Sequence, residues 1–353
     1  MAFDEFLQSN RKAVGRAMEK RLERKLSREG FLSCCGAQQY GVDSLQSAQE
    51  SVNAPIWDLL DRGGKRWRPA LLLLTAQAFG ADPFKLLDLS TIPEIVHNGT
   101  LMVDDVEDDS ELRRGKPCIH KSYGVDVAVN AGSAMYFLPL TALDGLAGKY
   151  PDKTLLQAYR IYAEELRAVS YGQGIDIWWH KGNGGEVSEG QYLQMVALKT
   201  GALARMAARL GALFAGASEK DMRLAGEFAE AIGVAFQVQD DVLNLTAGSE
   251  YGKEIGGDIS EGKRTLITAH ALSHATPADR KKLLAILDAK TKDAAKIRQA
   301  TAILESAGSI GYAKARSREI VKSAWRRFSS VLPASKAKTL LSQLADYLVE
   351  REI

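Results

Sequence analysis

The stretch LMVDDVEDDSELRRG, Leu101 to Gly115, carries six carboxylates in the eight positions from Asp104 to Glu111, followed at once by Arg113 and Arg114. It closes a largely apolar run, IPEIVHNGTLMV. Asp104 and Asp108 are four apart, so on a helix they share a face, with His97, Thr100 and Leu101 on roughly the same face one and two turns earlier. Two bare carboxylates so placed raise each other's pKa. A divalent cation removes the conflict, and oxygen-only ligands suit Mg2+ or Mn2+ rather than zinc. An isolated acidic run is more often a solvated helix end, so this reading needs a second observation.

AIGVAFQVQDDVLNL, Ala231 to Leu245, supplies it. Asp240 and Asn244 stand again at i, i+4, with Asp241 beside them, and Gly233, Phe236 and Gln237 continue the stripe towards the N-terminus. Adjacent aspartates deep in an apolar helix are costly to bury unless bound to an ion. Two such helices face to face are expected to hold a small cluster of Mg2+ ions, and the natural ligand of that cluster is a phosphate-rich anion. Three basic segments complete the pattern. GGKRWRP offers Lys65, Arg66 and Arg68; LRRGKP offers Arg113 and Arg114; GKEIGGDISEGKRT offers Lys253, Lys263 and Arg264. Singly these read as surface charges. Together they outline a site that holds diphosphate both through metal and directly on Arg and Lys.

The remainder of the chain sets the scaffold. With 353 residues, 46% apolar and 25% charged, the composition suits a soluble globular protein with a substantial core. A net charge of +2 supplies no global field for nucleic acid or an anionic membrane. No apolar run reaches the roughly 18 residues of a membrane span. Cys34, Cys35 and Cys118 form no disulfide framework and fit a reducing compartment, so a cytoplasmic location is expected. The N-terminus lacks an apolar signal core and mixes acids with bases, against a transit peptide. Val14, Met18, Leu22 and Leu26 recur every four residues, so residues 1–40 are read as an amphipathic helix and loop packed on a single domain spanning 1–353. Proline is absent between Asp152 and Thr276, helical periods dominate, and neither strand alternation nor an Asn-Gly hairpin is evident. An all-α fold of ten or more helices is expected.

These motifs resemble those of the trans-isoprenyl diphosphate synthases, the polyprenyl synthetase family, most nearly its geranylgeranyl-type members. The matching segments are GGKRWRP, DDVEDDSELRRG, KTG at Lys199 to Gly201, FQVQDD and GGDISEGKRT, in the family's order from about Asp61 to Thr265. The resemblance implies an isoprenoid-synthase bundle around a deep central cavity, a homodimer, and head-to-tail condensation of isopentenyl diphosphate with an allylic diphosphate (dimethylallyl, geranyl or farnesyl). It implies that Asp104 and Asp108, with Asp240, Asp241 and Asn244 of the second motif, hold roughly three Mg2+ ions, replaceable by Mn2+. Arg113, Lys199 and Lys253 would contact the allylic diphosphate, with Lys263 nearby. Lys65, Arg68, His97 and Arg114 would hold the isopentenyl diphosphate without metal. Thr200 and Gln237 would sit beside the reacting carbons.

Two features depart from the family pattern. The second motif ends in Asn244 where Asp is usual, and the C-terminus YLVEREI lacks the basic tail of some farnesyl-type members. Product length is read from the positions before Asp104. Family members with a bulky residue four or five positions earlier stop early, whereas this chain has Thr100 and Gly99, then Val96 and Ile95 a turn further back. Met135, Tyr136 and Phe137 are read as a later floor, so a geranylgeranyl product is expected and Gly99→Tyr is expected to shorten it. Longer polyprenyl or farnesyl diphosphate is the alternative product. A terpene cyclase would not need the second diphosphate site, and a non-catalytic partner subunit would usually lose an aspartate motif. GDISEGK, Gly257 to Lys263, fits the spacing of a nucleotide loop but is followed by Arg264 rather than Ser or Thr.

Overall fold

The structure, a computed structural model, describes residues 2–246 and 256–350. They divide into two compact units. One runs up to Tyr162 and adds Ala207–Ala217; the other comprises Ala163–Met206 and the chain from Ser218 onward. Apart from one small hairpin and an isolated bridge, the regular elements of the described residues are helical, as the apolar periods predict.

The first unit contains α1 (Ala2–Arg21), α2 (Ala54–Asp61), α3 (Trp67–Ala78), α4 (Leu87–Glu107) and α5 (Val125–Ala134). In α3 the run from Leu71 to Leu74 is buried, as expected of a helix apolar all round. Pro69 sits in its first turn, where no intrahelical N–H bond is lost. The apolar stripe of α1 buries Val14, Met18 and Leu22 as predicted, although the helix stops at Arg21 and leaves Leu26 half-buried beyond it. Arg21 and Lys20 pair with Asp88 in the first turn of α4.

Helices α4 and α5 cross with their backbones in contact. A Cβ on Gly99 would lie 2.7 Å from Met135 Cβ and 2.9 Å from the Gly132 carbonyl oxygen; one on Gly132 would lie 2.8 Å from Val103 Cγ2. At Gly99 any side chain would press on backbone, and at Gly132 it would have to displace Val103. Past α4 the chain forms an antiparallel hairpin, β1 (Leu112–Arg113) with β2 (Lys116–Pro117). Its turn residues Arg114 and Gly115 have φ of 54° and 76°, the left-handed pair of a type I′ turn. The sequence reading places no hairpin here: Arg-Gly is not the usual signal, and strands of two residues have no alternation to detect.

The helices α6 (Asp152–Trp178) and α8 (Ala202–Phe214) contribute to both units. The second unit also holds α7 (Glu189–Val196), a π-helical turn Ala197–Gly201, α9 (Glu219–Thr246), α10 (Leu266–His274), α11 (Ser309–Ser329) and α12 (Lys336–Glu350). A capping box between Ser188 and Gln191 starts α7. Helix α9 packs along α11, where Phe228 meets Phe328 and Trp325 at centroid distances of 5.2 and 5.0 Å. Its later turns bury Val238 and Val242 with Tyr192, Val196, Leu266 and Ile267. Residues Gly257–Ser260 form a helical turn, and among the described residues the element before them is α9, a helix rather than a strand. Among the described residues no helix is long and apolar enough to cross a membrane.

Candidate active site

Helix α4 delivers the first aspartate motif at its C-terminal end. The helix closes at Glu107, but the Asp108 N–H still bonds the Asp104 carbonyl at 2.9 Å, so the predicted pair shares the last turn. The Asp104 side chain is 20% exposed, whereas Asp105 is buried and clasps Arg113. Arg113 Nε lies 2.9 and 3.2 Å from the two Asp105 oxygens, its Nη2 also bonds Asp105, and Nη2 is 4.0 Å from Asp104. Such a planar, charge-assisted fork is what a buried carboxylate requires. Asp105 thus matters more than sequence indicates; no local signal links it to an arginine eight residues on.

The hairpin sends its two arginines to different places. Arg113 folds back onto Asp105, while Arg114 donates to the Gly63 carbonyl in the GGKRWRP loop. Close by in charge terms is Arg68, buried in the first turn of α3 with its guanidinium 4.4 Å over the Trp67 ring. Its Nε has no hydrogen-bond partner among the described residues. Burial lowers the Arg68 pKa to about 10, with Glu94 opposing. Burial also holds His97 well below the ordinary imidazole range, assisted by Arg68, Arg114 and Arg113, so the ring is neutral near pH 7. The buried Glu94 acts on both Arg68 and Arg114. Its backbone carbonyl accepts from Asn98 Nδ2 at 2.8 Å. Positive charge in surplus around a buried guanidinium with an open donor is an arrangement that a bound anion would offset. Lys65 is exposed in the same loop. Arg66 is turned elsewhere: at φ 50° it donates to the Arg11 carbonyl of α1 at 3.2 Å.

The second unit holds the other motifs. Lys199 and Thr200 lie in the π-helical turn, a geometry common at functional sites. Gly172 of α6 passes so close that a Cβ there would sit 2.3 Å from the Lys199 amide nitrogen. Lys199 Nζ pairs with buried Asp176 at 2.6 Å. Thr200 Oγ1 donates to Gln237 Oε1 at 3.2 Å, Gln237 Nε2 donates to Asp241 at 3.0 Å, and Tyr192 Oη donates to the other Asp241 oxygen at 2.6 Å. Asp240 is half-buried and Asp241 buried. Burial, then Asp258, raises the Asp241 pKa above the usual carboxylate range, against the bonds from Tyr192 and Gln237. Asn244 Oδ1 accepts the Asp258 N–H at 3.0 Å and its carbonyl accepts the Gly256 N–H at 2.9 Å. Asn244 therefore anchors the turn that carries Asp258, a task that needs an acceptor and no charge. Lys263 pairs with Asp258 at 3.5 Å and with Glu261 at 2.6 Å. Arg264 is buried on the carbonyls of Gly185 and Gly262 and on Asp288, holding the fold together. Lys253 lies outside the described residues.

The sequence pattern of the polyprenyl synthetases matches residues 49–304. The chain belongs to the polyprenyl synthetase family. It is 34% identical over 328 residues to the geranylgeranyl diphosphate synthase of Methanosarcina mazei, covering 88% of this chain and 98% of that protein. It is also 34% identical over 310 residues to the geranylfarnesyl diphosphate synthase of Natronomonas pharaonis, covering 83% and 88%. The crystal structure of geranylgeranyl pyrophosphate synthetase from Pyrococcus horikoshii matches with a TM-score of 0.84 at 28% identity over 100% of both chains.

In this polyprenyl synthetase the residues read for product length do not all face inward. Val96 and Met135 are buried, Thr100 and Tyr136 are half-buried, and Phe137 is 69% exposed. Phe137 is thus a surface residue of this chain rather than part of a floor, and Gly99 is occupied in helix contact. The donors suit a hard cation: they are carboxylate oxygens, and the buried Asp241 beside Asp258 gains from added positive charge. Among the described residues no three carboxylate, His or Cys side chains converge to hold a metal by themselves.

Proposed function

We propose that this chain condenses isopentenyl diphosphate with an allylic diphosphate in a Mg2+-dependent trans-prenyl transfer, giving geranylgeranyl diphosphate. The observation that carries the reading is buried Arg68 with its open Nε, beside neutral His97 and Arg114. A metal-free anion site of this kind, in addition to the aspartate motifs, has no use in a terpene cyclase. Asp104, Asp108 and Asp240 would hold Mg2+ on the allylic diphosphate, with Asp241 supporting and Asn244 acting through the Asp258 turn. Bound there, Mg2+ supplies Lewis acidity to the leaving diphosphate. Lys199, oriented by Asp176, and Arg113, oriented by Asp105, would contact the same diphosphate. Arg68, Arg114, His97 and Lys65 would hold the isopentenyl diphosphate. The Thr200 hydroxyl and the Gln237 carbonyl, fixed by their mutual hydrogen bond, would offer oxygen dipoles to the allylic cation. The allylic C–O bond breaks to release diphosphate, the isopentenyl double bond attacks the allylic carbon to form the new C–C bond, and the proton then lost passes to the departed diphosphate. We place the enzyme in the cytoplasm as a homodimer; its free cysteines, with Cys34 and Cys35 exposed, suit a reducing compartment.

The test is incubation of the purified chain with isopentenyl diphosphate and each allylic diphosphate, followed by chromatography of the dephosphorylated products. Geranylgeraniol is expected, and no consumption of isopentenyl diphosphate would overturn the reading. The two hairpin arginines should separate kinetically. Arg114→Ala should chiefly raise KM for isopentenyl diphosphate and Arg113→Ala should chiefly raise it for the allylic substrate. Each loses a charge-assisted contact of about 1.5–3 kcal/mol, a tenfold effect or more. Equal effects of both variants on both substrates would refute the assignment.

A further inference from the structure

Arg62 has no part in the roles assigned above. It caps α2, and its side chain is 1% exposed. The guanidinium bonds Asp58, one turn back, at 3.1 Å, and Nη1 donates to the carbonyls of Arg113 at 3.3 Å and Pro117 at 2.8 Å. Those two carbonyls belong to the two strands of the hairpin. The reciprocal tie comes from Arg114, whose side chain donates to the carbonyl of Gly63, the residue after Arg62. Strands of two residues do not hold a hairpin together in water, so this one depends on outside contacts.

We propose that Arg62 is a positioning residue that sets both diphosphate arginines at once. By holding β1 and β2 from beneath, it fixes the turn that directs Arg113 onto Asp105 and Arg114 towards the Gly63 loop. Arginine suits the position because its planar fork reaches a carboxylate and two carbonyls together, which a lysine ammonium cannot do in the same geometry. The inference rests on the proposed function only for what the two arginines hold.

Arg62→Met keeps the apolar stem and removes every donor. Its former partner Asp58 is 26% exposed, so water can take over that carboxylate and the variant should fold. Arg62→Lys restores the charge on a single donor nitrogen, and Asp58→Asn removes the ion pair while leaving both carbonyl contacts. Steady-state kinetics, thermal melting and calorimetric titration with inorganic diphosphate in EDTA are the readouts. Arg62→Met should raise KM for both substrates, and weaken diphosphate binding, by about tenfold or more, the scale of a small misplacement of binding groups. Arg62→Lys should fall between this and the native protein, and Asp58→Asn should stay within about twofold of it. A lowered Tm with both KM values unchanged would overturn the proposal, as would a change in one KM alone. Should Arg62→Met fail to fold, Arg62→Lys decides by the same criteria. A native chain that binds diphosphate in an Arg62-dependent way but transfers no prenyl group would sink the proposed function and leave this inference standing. Absence of any diphosphate binding by the native chain would overturn both.

Discussion

Asp104→Ala is expected to lower turnover by about a thousandfold while leaving the fold intact, the scale for loss of a preorganised group that stabilises developing charge. The geometry separates the two effects. Asp104 is 20% exposed on the last turn of α4, so its removal takes away a proposed metal ligand without opening a cavity. A thermal melt should change little, as for substitutions outside the core. Asp105→Ala is the contrasting case. Asp105 is 1% exposed and is the main partner of Arg113, so its loss leaves a largely buried cation with only the 4.0 Å contact to Asp104, at a cost of about 3 kcal/mol. That variant should lose stability as well as activity. Chelation should reproduce the Asp104 phenotype in the native chain, and added Mg2+ or Mn2+ should reverse it. Substantial activity in excess EDTA, or a normal kcat for Asp104→Ala, would remove the metal from the mechanism.

What could be read from sequence, and what could not, follows from the range of the interactions. The α1 stripe and the long apolar run of α3 are local patterns, and both formed the expected helices. The aspartate pairs were visible because carboxylates at helical spacing in an apolar setting violate a strong local rule. Their partners were not. Asp105 meets Arg113 across a turn, Lys199 meets Asp176 on a different helix, and Tyr192 meets Asp241 from far away in the chain. Nothing in a one-dimensional pattern distinguishes these from solvated charges. Basic residues were equally ambiguous: Lys263 stays among carboxylates, while its neighbour Arg264 is absorbed into backbone carbonyls. The hairpin escaped because its pairing spans two residues per strand. Gly99 is ambiguous for a different reason. A position lining a cavity and a position at a tight helix crossing both demand a small residue, and the sequence cannot say which.

Gly99→Tyr therefore serves to separate those two readings. If Gly99 lined an elongation cavity, a tyrosine would fill empty space, shorten the product and leave stability nearly unchanged. In the structure the first atom of any side chain already collides. Its Cβ would be 2.7 Å from Met135 Cβ and 2.9 Å from the Gly132 carbonyl, and neither can move without displacing α5. Overpacking of this kind costs about 3 kcal/mol or more, which corresponds to a Tm lowered by about 4 °C or more in a chain of this length. Gly99→Ala is the sharper variant, because a cavity wall would accept a methyl group freely whereas a backbone contact would not. A lowered Tm for Gly99→Ala, larger still for Gly99→Tyr, is the expected result. Any change in product length should then accompany loss of activity as α5 shifts against the helix that carries Asp104. Unchanged melting of both variants, with a shorter product only from the tyrosine, would show that Gly99 faces the growing chain after all.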